Sequence, residues 1–196
     1  MTSYVTLAVL LLALVLSVGV YNRLITLRNR FRNAFAQIDV QLQRRYDLIP
    51  NLVDTARAYM EHEAGTLTRI TEARNSADSA RQRASRAPED GVAIDALGQA
   101  ETALRRSLMD FNAVVENYPE LRANESIRQL MEELSSTENR VGFARQAFND
   151  AVMFYNTYRE QFPNSIIAGL FKSRFTPAEP LTLDTPEARR APRVSF

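Results

Sequence analysis

The only histidine of the chain, His62, stands next to Glu63 and makes metal binding the first chemistry to consider. A helical zinc site built on this pair needs a second histidine four residues after the first, but Thr66 occupies that position. Because the chain has no cysteine, thiolate metal sites and cysteine nucleophiles are excluded as well. No Gly-x-Ser-x-Gly, phosphate-loop or dinucleotide-binding motif occurs. We therefore expect no catalytic residue, no metal, no cofactor and no enzymatic activity.

Charged and amide side chains that flank apolar stripes are the remaining candidate site residues. Two roles fit them: ion pairing that sets the register between helices, which we favour because flanking charges commonly serve a helical seam, or a polar patch that binds a partner protein. These candidates are Arg44, Arg45, Asp47, Asn51, Glu138, Asn139, Arg140 and Arg145. Asparagine is a poor helix former, so we expect some of the asparagines near the stripes to form hydrogen bonds between helices. They are Asn33, Asn51, Asn139, Asn149 and Asn156.

The composition is typical of packed helices. Apolar residues make up 45% of the 196 residues, whereas glycine (6) and proline (8) are scarce. The net charge of +1 gives no overall field that would attract nucleic acid, which we therefore do not expect as a partner.

Apolar residues recur in steps of three and four along three stretches, residues 31–70, 97–118 and 127–162, and each pattern predicts a helix with a coiled-coil-like seam. Leu134, Val141 and Phe148 share one heptad position and are expected to be buried. Pro50 interrupts the first stretch and predicts a kink or break at residues 47–50. Residues 84–91 predict a turn, Pro119 is expected to close the second helix, and Asn124 is expected to cap the third.

Three apolar seams cannot all face water, so they must pack on one another. The predicted fold is all-α: an N-terminal transmembrane helix followed by an up-and-down bundle of long antiparallel helices. We favour four helical segments, with a reversal near Pro50 or Gly65. The alternative is a three-helix rod whose first helix continues to residue 84.

The N-terminus has the composition of a membrane span. Residues 4–20 contain no charge, and Tyr4 and Tyr21 flank the run at positions typical of aromatic belts. No arginine precedes this run and several follow it, which predicts an outside N-terminus and a cytoplasmic C-terminal domain. A cleaved signal peptide is the alternative, disfavoured because no basic residue comes first.

Three regions follow from these patterns: a transmembrane segment at residues 1–21, a helical bundle at residues 22–175 and a proline-rich tail without fixed structure at residues 176–196. The bundle ends in an apolar cluster, residues 165–175, which contains Lys172 and Arg174. In the four-segment fold this cluster lies near the membrane, where it either caps the base of the bundle or lies in the bilayer interface.

Several motifs together resemble the LemA family. They are RNRFRNAFAQIDVQL at 28–42, RRYDLIPNLV at 44–53, ENYPELRAN at 116–124, TENR at 137–140, NDAV at 149–152 and Phe162-Pro163. The resemblance covers residues 21–175. It implies a membrane-anchored four-helix bundle associated with the bacterial envelope, with membrane metalloproteases or with magnetosome membranes, and it brings no catalytic residues. Phe35 stands where the family often has tryptophan, a change that keeps an aromatic seam residue.

The expected function is that of a single-pass structural or assembly protein of the bacterial inner membrane, which acts by self-association or partner binding. The alternative is an adaptor or sensor for a membrane protease. The expected partners are the lipid bilayer, further copies of the chain, and a membrane metalloprotease or another envelope protein.

Overall fold

The computed structural model describes residues 1–183, in which helices are joined by short turns and no strand occurs. Four helices are long and two are short. They are α1 (Thr2–Arg57), α2 (Ala64–Arg86), α3 (Gly91–Val115), α4 (Pro119–Ala123), α5 (Glu125–Glu160) and α6 (Asn164–Leu170). Helix α1 packs mainly on α5, and α2 packs on both α1 and α3. The predicted up-and-down bundle of four long helical segments is confirmed.

Helix α1 passes through Pro50 without ending, so of the predicted kink or break at residues 47–50, the break is wrong. Proline has no N–H and leaves the carbonyl of the residue four positions earlier, Tyr46, without its helical partner. That carbonyl accepts a hydrogen bond of 3.2 Å from Nε of Arg74 on α2. The neighbouring helix thus satisfies the group that Pro50 frees, and α1 continues for 56 residues, or about 84 Å.

The chain reverses after α1 through a short 3₁₀ turn, Glu61–Glu63, and α2 begins at Ala64. Of the two predicted reversal points, the structure uses the one near Gly65.

Helix α5 begins directly after Asn124. The side-chain oxygen of Asn124 accepts a 3.1 Å hydrogen bond from the N–H of Ile127, so the predicted cap of α5 is confirmed.

Aromatic side chains of α1 and α5 form the centre of the core. Phe148 is fully buried, and its ring centroid lies 5.5 Å from that of Phe35 and 6.4 Å from that of Phe31. Leu134 and Val141, two heptads and one heptad before it, are 6% and 5% exposed. The predicted burial of all three seam residues is confirmed.

The N-terminal part of α1 extends beyond the bundle. Its most apolar 18-residue window has a mean hydropathy of 2.4 and is 0% buried, which fits a membrane anchor or a signal by length and composition. Helix α6 lies at this end, where the Tyr21 ring centroid is 5.0 Å from that of Phe171 and 5.3 Å from that of Phe175. Residues 165–175 therefore return to the end of the bundle next to the apolar run, as the four-segment fold predicts.

Residues 176–183 follow α6 as an extended segment that lies on the bundle. Ala178 and Leu181 are each 2% exposed, so the prediction of a tail without fixed structure is wrong for this segment. Prolines at 177 and 180 prevent a helix there, but they favour an extended backbone whose polar groups find partners on α5. The rest of the predicted tail, residues 184–196, lies outside the described residues.

Candidate functional site

A buried ion pair connects α1 with α3. Nη1 of Arg45 lies 2.9 Å from Oε2 of Glu101, and the two residues are 4% and 3% exposed. The hydroxyl of Tyr46 donates to the other carboxylate oxygen, Oε1. Both oxygens of Glu101 are therefore engaged by residues of α1, and the side chain is closed to solvent.

Burial dominates the electrostatics of this cluster. It raises the pKa of Glu101 above its ordinary value, and the Arg45 guanidinium and the Tyr46 hydrogen bond oppose the rise. Burial also raises the pKa of Tyr46, and the nearby Glu101 carboxylate raises it further. A cluster of this kind fixes the register of α3 against α1. It leaves no open position where a substrate could meet the carboxylate.

Half-buried ion pairs tie α1 to its other neighbours. Arg81 of α2 lies 2.6 Å from Asp39 of α1 and 2.9 Å from Asp78 of its own helix. Nearer the apolar run of α1, Arg28 lies 2.8 Å from Glu89, in the turn before α3. These contacts hold neighbouring helices at fixed heights.

The structure places the predicted site residues in different settings. Arg45 joins the buried pair, Glu138 lies 3.2 Å from Arg105 of α3, and Asp47 accepts a 2.7 Å hydrogen bond from Gln43 within α1. Arg145 is half-buried, and the others are exposed: Arg44, Asn51, Asn139 and Arg140. Within the described part of the chain, no ion pair joins two members of this set.

Sequence reasoning missed Glu101, although a signal was present. Glu101 lies between Leu97 and Leu104 at helical spacing, so it is an acidic residue within an apolar stripe. A charge on that face requires a buried partner. Arg74 gave no comparable signal, because the carbonyl that it serves becomes free only through Pro50 on another helix.

A second polar site lies on the α5 surface that faces the extended segment. Asn156 accepts from the N–H of Ala178 at 3.1 Å and donates to its carbonyl at 2.8 Å. Asn149 makes the same pair of hydrogen bonds with Leu181, at 2.9 and 3.2 Å. These two belong to the five asparagines of which some were expected to bond between helices, but their partner is the backbone of residues 176–183.

The extended segment also lies close to α3, where two glycines leave room for it. A Cβ added at Gly98 would collide with the carbonyl oxygen of Thr182, and one added at Gly91 would lie 2.6 Å from Cγ of Glu179. Residues 176–183 therefore lie in a groove between α3 and α5, which we call the α3–α5 groove.

Gly98→Ala is expected to loosen the extended segment, because the new methyl group meets a backbone oxygen that cannot rotate away. The amide protons of Ala178 and Leu181 should then exchange with solvent about tenfold faster or more. Hydrogen exchange followed by mass spectrometry measures this change. An unchanged exchange rate would contradict the close approach.

The matched control is Gly142→Ala on α5, where an added Cβ meets nothing within 4 Å. Alanine there should stabilise the helix by about 0.5–1 kcal/mol and leave amide exchange in the segment unchanged.

The side chains of the two sites contact one another or the backbone of the extended segment. Within residues 1–183, no group of three or more histidine, aspartate or glutamate side chains is arranged to hold a metal ion. The polar groups described above hold helices or backbone. A helical bundle continuous with an apolar N-terminal helix defines the class: an all-helical bundle protein with a candidate membrane anchor.

Comparison with known proteins gives the family. The chain matches the LemA family over residues 34–196, and it belongs to that family. The match extends past the range that carried the resemblance and includes the extended segment, so this segment is part of the family domain. The search of curated proteins found no match.

Proposed function

We propose that this chain is a membrane-anchored structural protein that acts by self-association and has no catalytic activity. The observation that carries the proposal is a pair of large apolar side chains, one on α1 and one on α5, that are exposed at the same height of the bundle and that we call the patch. Val40 of α1 is 60% exposed and Phe143 of α5 is 75% exposed. The register set by Phe35 with Phe148 and by Arg30 with Phe154 brings Val40 level with Phe143.

Two of the predicted site residues lie about one helical turn from these side chains, Arg44 after Val40 and Arg140 before Phe143. The same register brings Arg44 level with Arg140, and both are exposed. Large exposed apolar side chains with a charged rim are typical of protein interfaces. This supports the partner-binding role for Arg44 and Arg140, whereas the buried pair supports a register-setting role for Arg45.

A second copy in the same membrane is the partner that fits the patch best. The patch lies on the side of the bundle, and α1 continues from it into the apolar segment. Two copies related by a twofold axis along the membrane normal can therefore bring their patches together while both anchors stay in one bilayer.

The bilayer itself is the second proposed partner. Around α6, next to the anchor, Phe162, Ile166 and Leu170 are 82%, 54% and 74% exposed. Apolar side chains exposed at that level, followed by Lys172 and Arg174, fit a short element in the bilayer interface with its cations toward lipid headgroups.

Native mass measurement of the detergent-extracted chain tests self-association. We expect a homo-oligomer, and Phe143→Ser should shift it toward the monomer because the change removes apolar area from the interface. Val92→Ser is the matched control, since Val92 is 81% exposed on α3, away from the patch. A monomeric wild type that co-purifies with a membrane protease would instead support the adaptor function.

The proposed orientation places the bundle in the cytoplasm of a bacterial cell, anchored in the inner membrane. It rests on the arginines that follow the apolar run, Arg23, Arg28, Arg30 and Arg32, with none before it. A phosphatase that is active only in the periplasm, fused after Phe196, should stay inactive. A reporter that fluoresces only in the cytoplasm, fused at the same position, should be bright, and the reverse pattern would refute this topology.

A further inference from the structure

The α3–α5 groove recognises its occupant through the occupant's backbone. Four side chains of α5 make six hydrogen bonds to backbone groups of residues 175–181. Besides the two asparagine pairs, the Tyr155 hydroxyl donates to the carbonyl of Thr176 at 2.9 Å, and Nε of Arg159 donates to the carbonyl of Phe175 at 2.8 Å. These contacts do not depend on the covalent connection between the segment and α6.

The spacing of the two asparagines matches an extended chain. Asn149 and Asn156 are two helical turns apart, which corresponds to about 10 Å along α5. Ala178 and Leu181 are three residues apart, which corresponds to about 10 Å in an extended backbone. The two repeats therefore coincide, and the segment runs antiparallel to α5, because Asn156 binds the earlier residue and Asn149 the later one.

The segment is preorganised for this site. Pro177 and Pro180 each precede a residue that an asparagine binds, and proline favours the extended conformation of its neighbours. The two bound residues, Ala178 and Leu181, are almost fully buried, whereas Glu179 between them is exposed. An extended Pro-Ala-x-Pro-Leu sequence thus has the chemistry that the groove accepts.

We propose that the α3–α5 groove also binds residues 176–183 of a second copy of this chain, so that neighbouring copies exchange their C-terminal segments. The proposal rests on the self-association proposed above and adds a second contact to it. Exchange replaces each intramolecular contact with an identical intermolecular one, which makes swapping a low-cost route to dimers.

Anchoring in one membrane lowers the remaining cost of exchange, which is the cost of bringing two copies together. Copies anchored by the same apolar helix hold their α6 and the start of their grooves at the same height above the bilayer. The segment of one copy therefore begins level with the groove of its neighbour, and confinement to the membrane raises the effective concentration of the two.

A cysteine pair tests the exchange in the full-length, membrane-anchored chain. Position 91 and Glu179 suit a disulfide, because a Cβ added at Gly91 would lie 3.4 Å from that of Glu179 and the native chain has no cysteine. Copies with Gly91→Cys and one tag are co-expressed with copies that carry Glu179→Cys and a different tag. Mild oxidation of the membranes should then give a crosslink that joins both tags.

The control replaces the groove cysteine with Ser79→Cys, on an exposed position of α2. This control measures crosslinking by random collision. The yield of the crosslink through position 91 should exceed the yield of the control by at least about tenfold. Adding Asn149→Ala and Asn156→Ala to the groove-bearing copy should abolish the excess, whereas the exposed Asn139→Ala should not. Melting by circular dichroism confirms that each variant is folded.

The outcomes separate this proposal from the proposed function. Exchange would be overturned if the double variant with Gly91→Cys and Glu179→Cys formed a crosslink within one chain while the mixed single-cysteine copies formed none. If the same extract is oligomeric by native mass, self-association stands and exchange alone fails. If it is monomeric, both fail.

Discussion

Glu101→Gln is expected to lower the free energy of unfolding by about 3–5 kcal/mol, because it leaves the buried guanidinium of Arg45 without a counter-charge. Glutamine keeps the size of the side chain and can still accept from Tyr46. The loss therefore reports the charge rather than a cavity. Thermal melting of the detergent-extracted protein should show a transition about 10 °C lower.

Two further variants identify the cause of this loss. Arg45→Met combined with Glu101→Leu removes both charges together and should recover most of the stability, since an apolar pair of similar volume needs no counter-charge. Glu132→Gln, on an exposed position of α5, should change the melting temperature little. If Glu101→Gln melted with the wild type, the buried pair would not hold α3 to α1.

Phe148→Ala is expected to cost about 3–5 kcal/mol, because it removes an aromatic ring from the centre of the core. Phe148 is 0% exposed and packs on both Phe31 and Phe35, so the surrounding side chains cannot close the space that its ring leaves. Chemical unfolding followed by circular dichroism measures the loss.

Met153→Ala is the matched control for this core prediction. Met153 lies on the same helix but is 56% exposed, so its truncation should change stability by no more than about 0.5 kcal/mol. Equal losses for the two variants would contradict the assignment of the core face of α5.

The helical fold could be predicted from the sequence because its signals are local and periodic. The heptad spacing of Leu134, Val141 and Phe148 identifies the buried face of α5 without any knowledge of its partner. Residues 176–183 carry no such period. Their structure depends on asparagines on another helix, and spacing along the chain does not reveal that pairing.

At Pro50, too, local sequence rules do not give the observed structure. A proline inside a helix predicts a kink or break from local rules alone. The helix continues because Arg74, on α2, supplies the hydrogen bond that Pro50 removes. Tertiary context thus overrides a local rule, and the reversal moves to the turn before Gly65.

The candidate site was predictable in part. Arg45 belonged to the predicted set, but its partner Glu101 lies on a different helix, and sequence does not give the register between helices. Asn149 and Asn156 stood out as asparagines within a helix, yet the backbone that they bind belongs to a later segment of the same chain, residues 176–183.

Subunit counting in native membranes tests the central claim most directly. The full-length chain carries one fluorescent protein after Phe196, and single spots in isolated membranes are bleached stepwise. We expect most spots to bleach in two or more steps, and Phe143→Ser should shift the distribution toward one step. Single-step bleaching of the wild type at every expression level would contradict self-association.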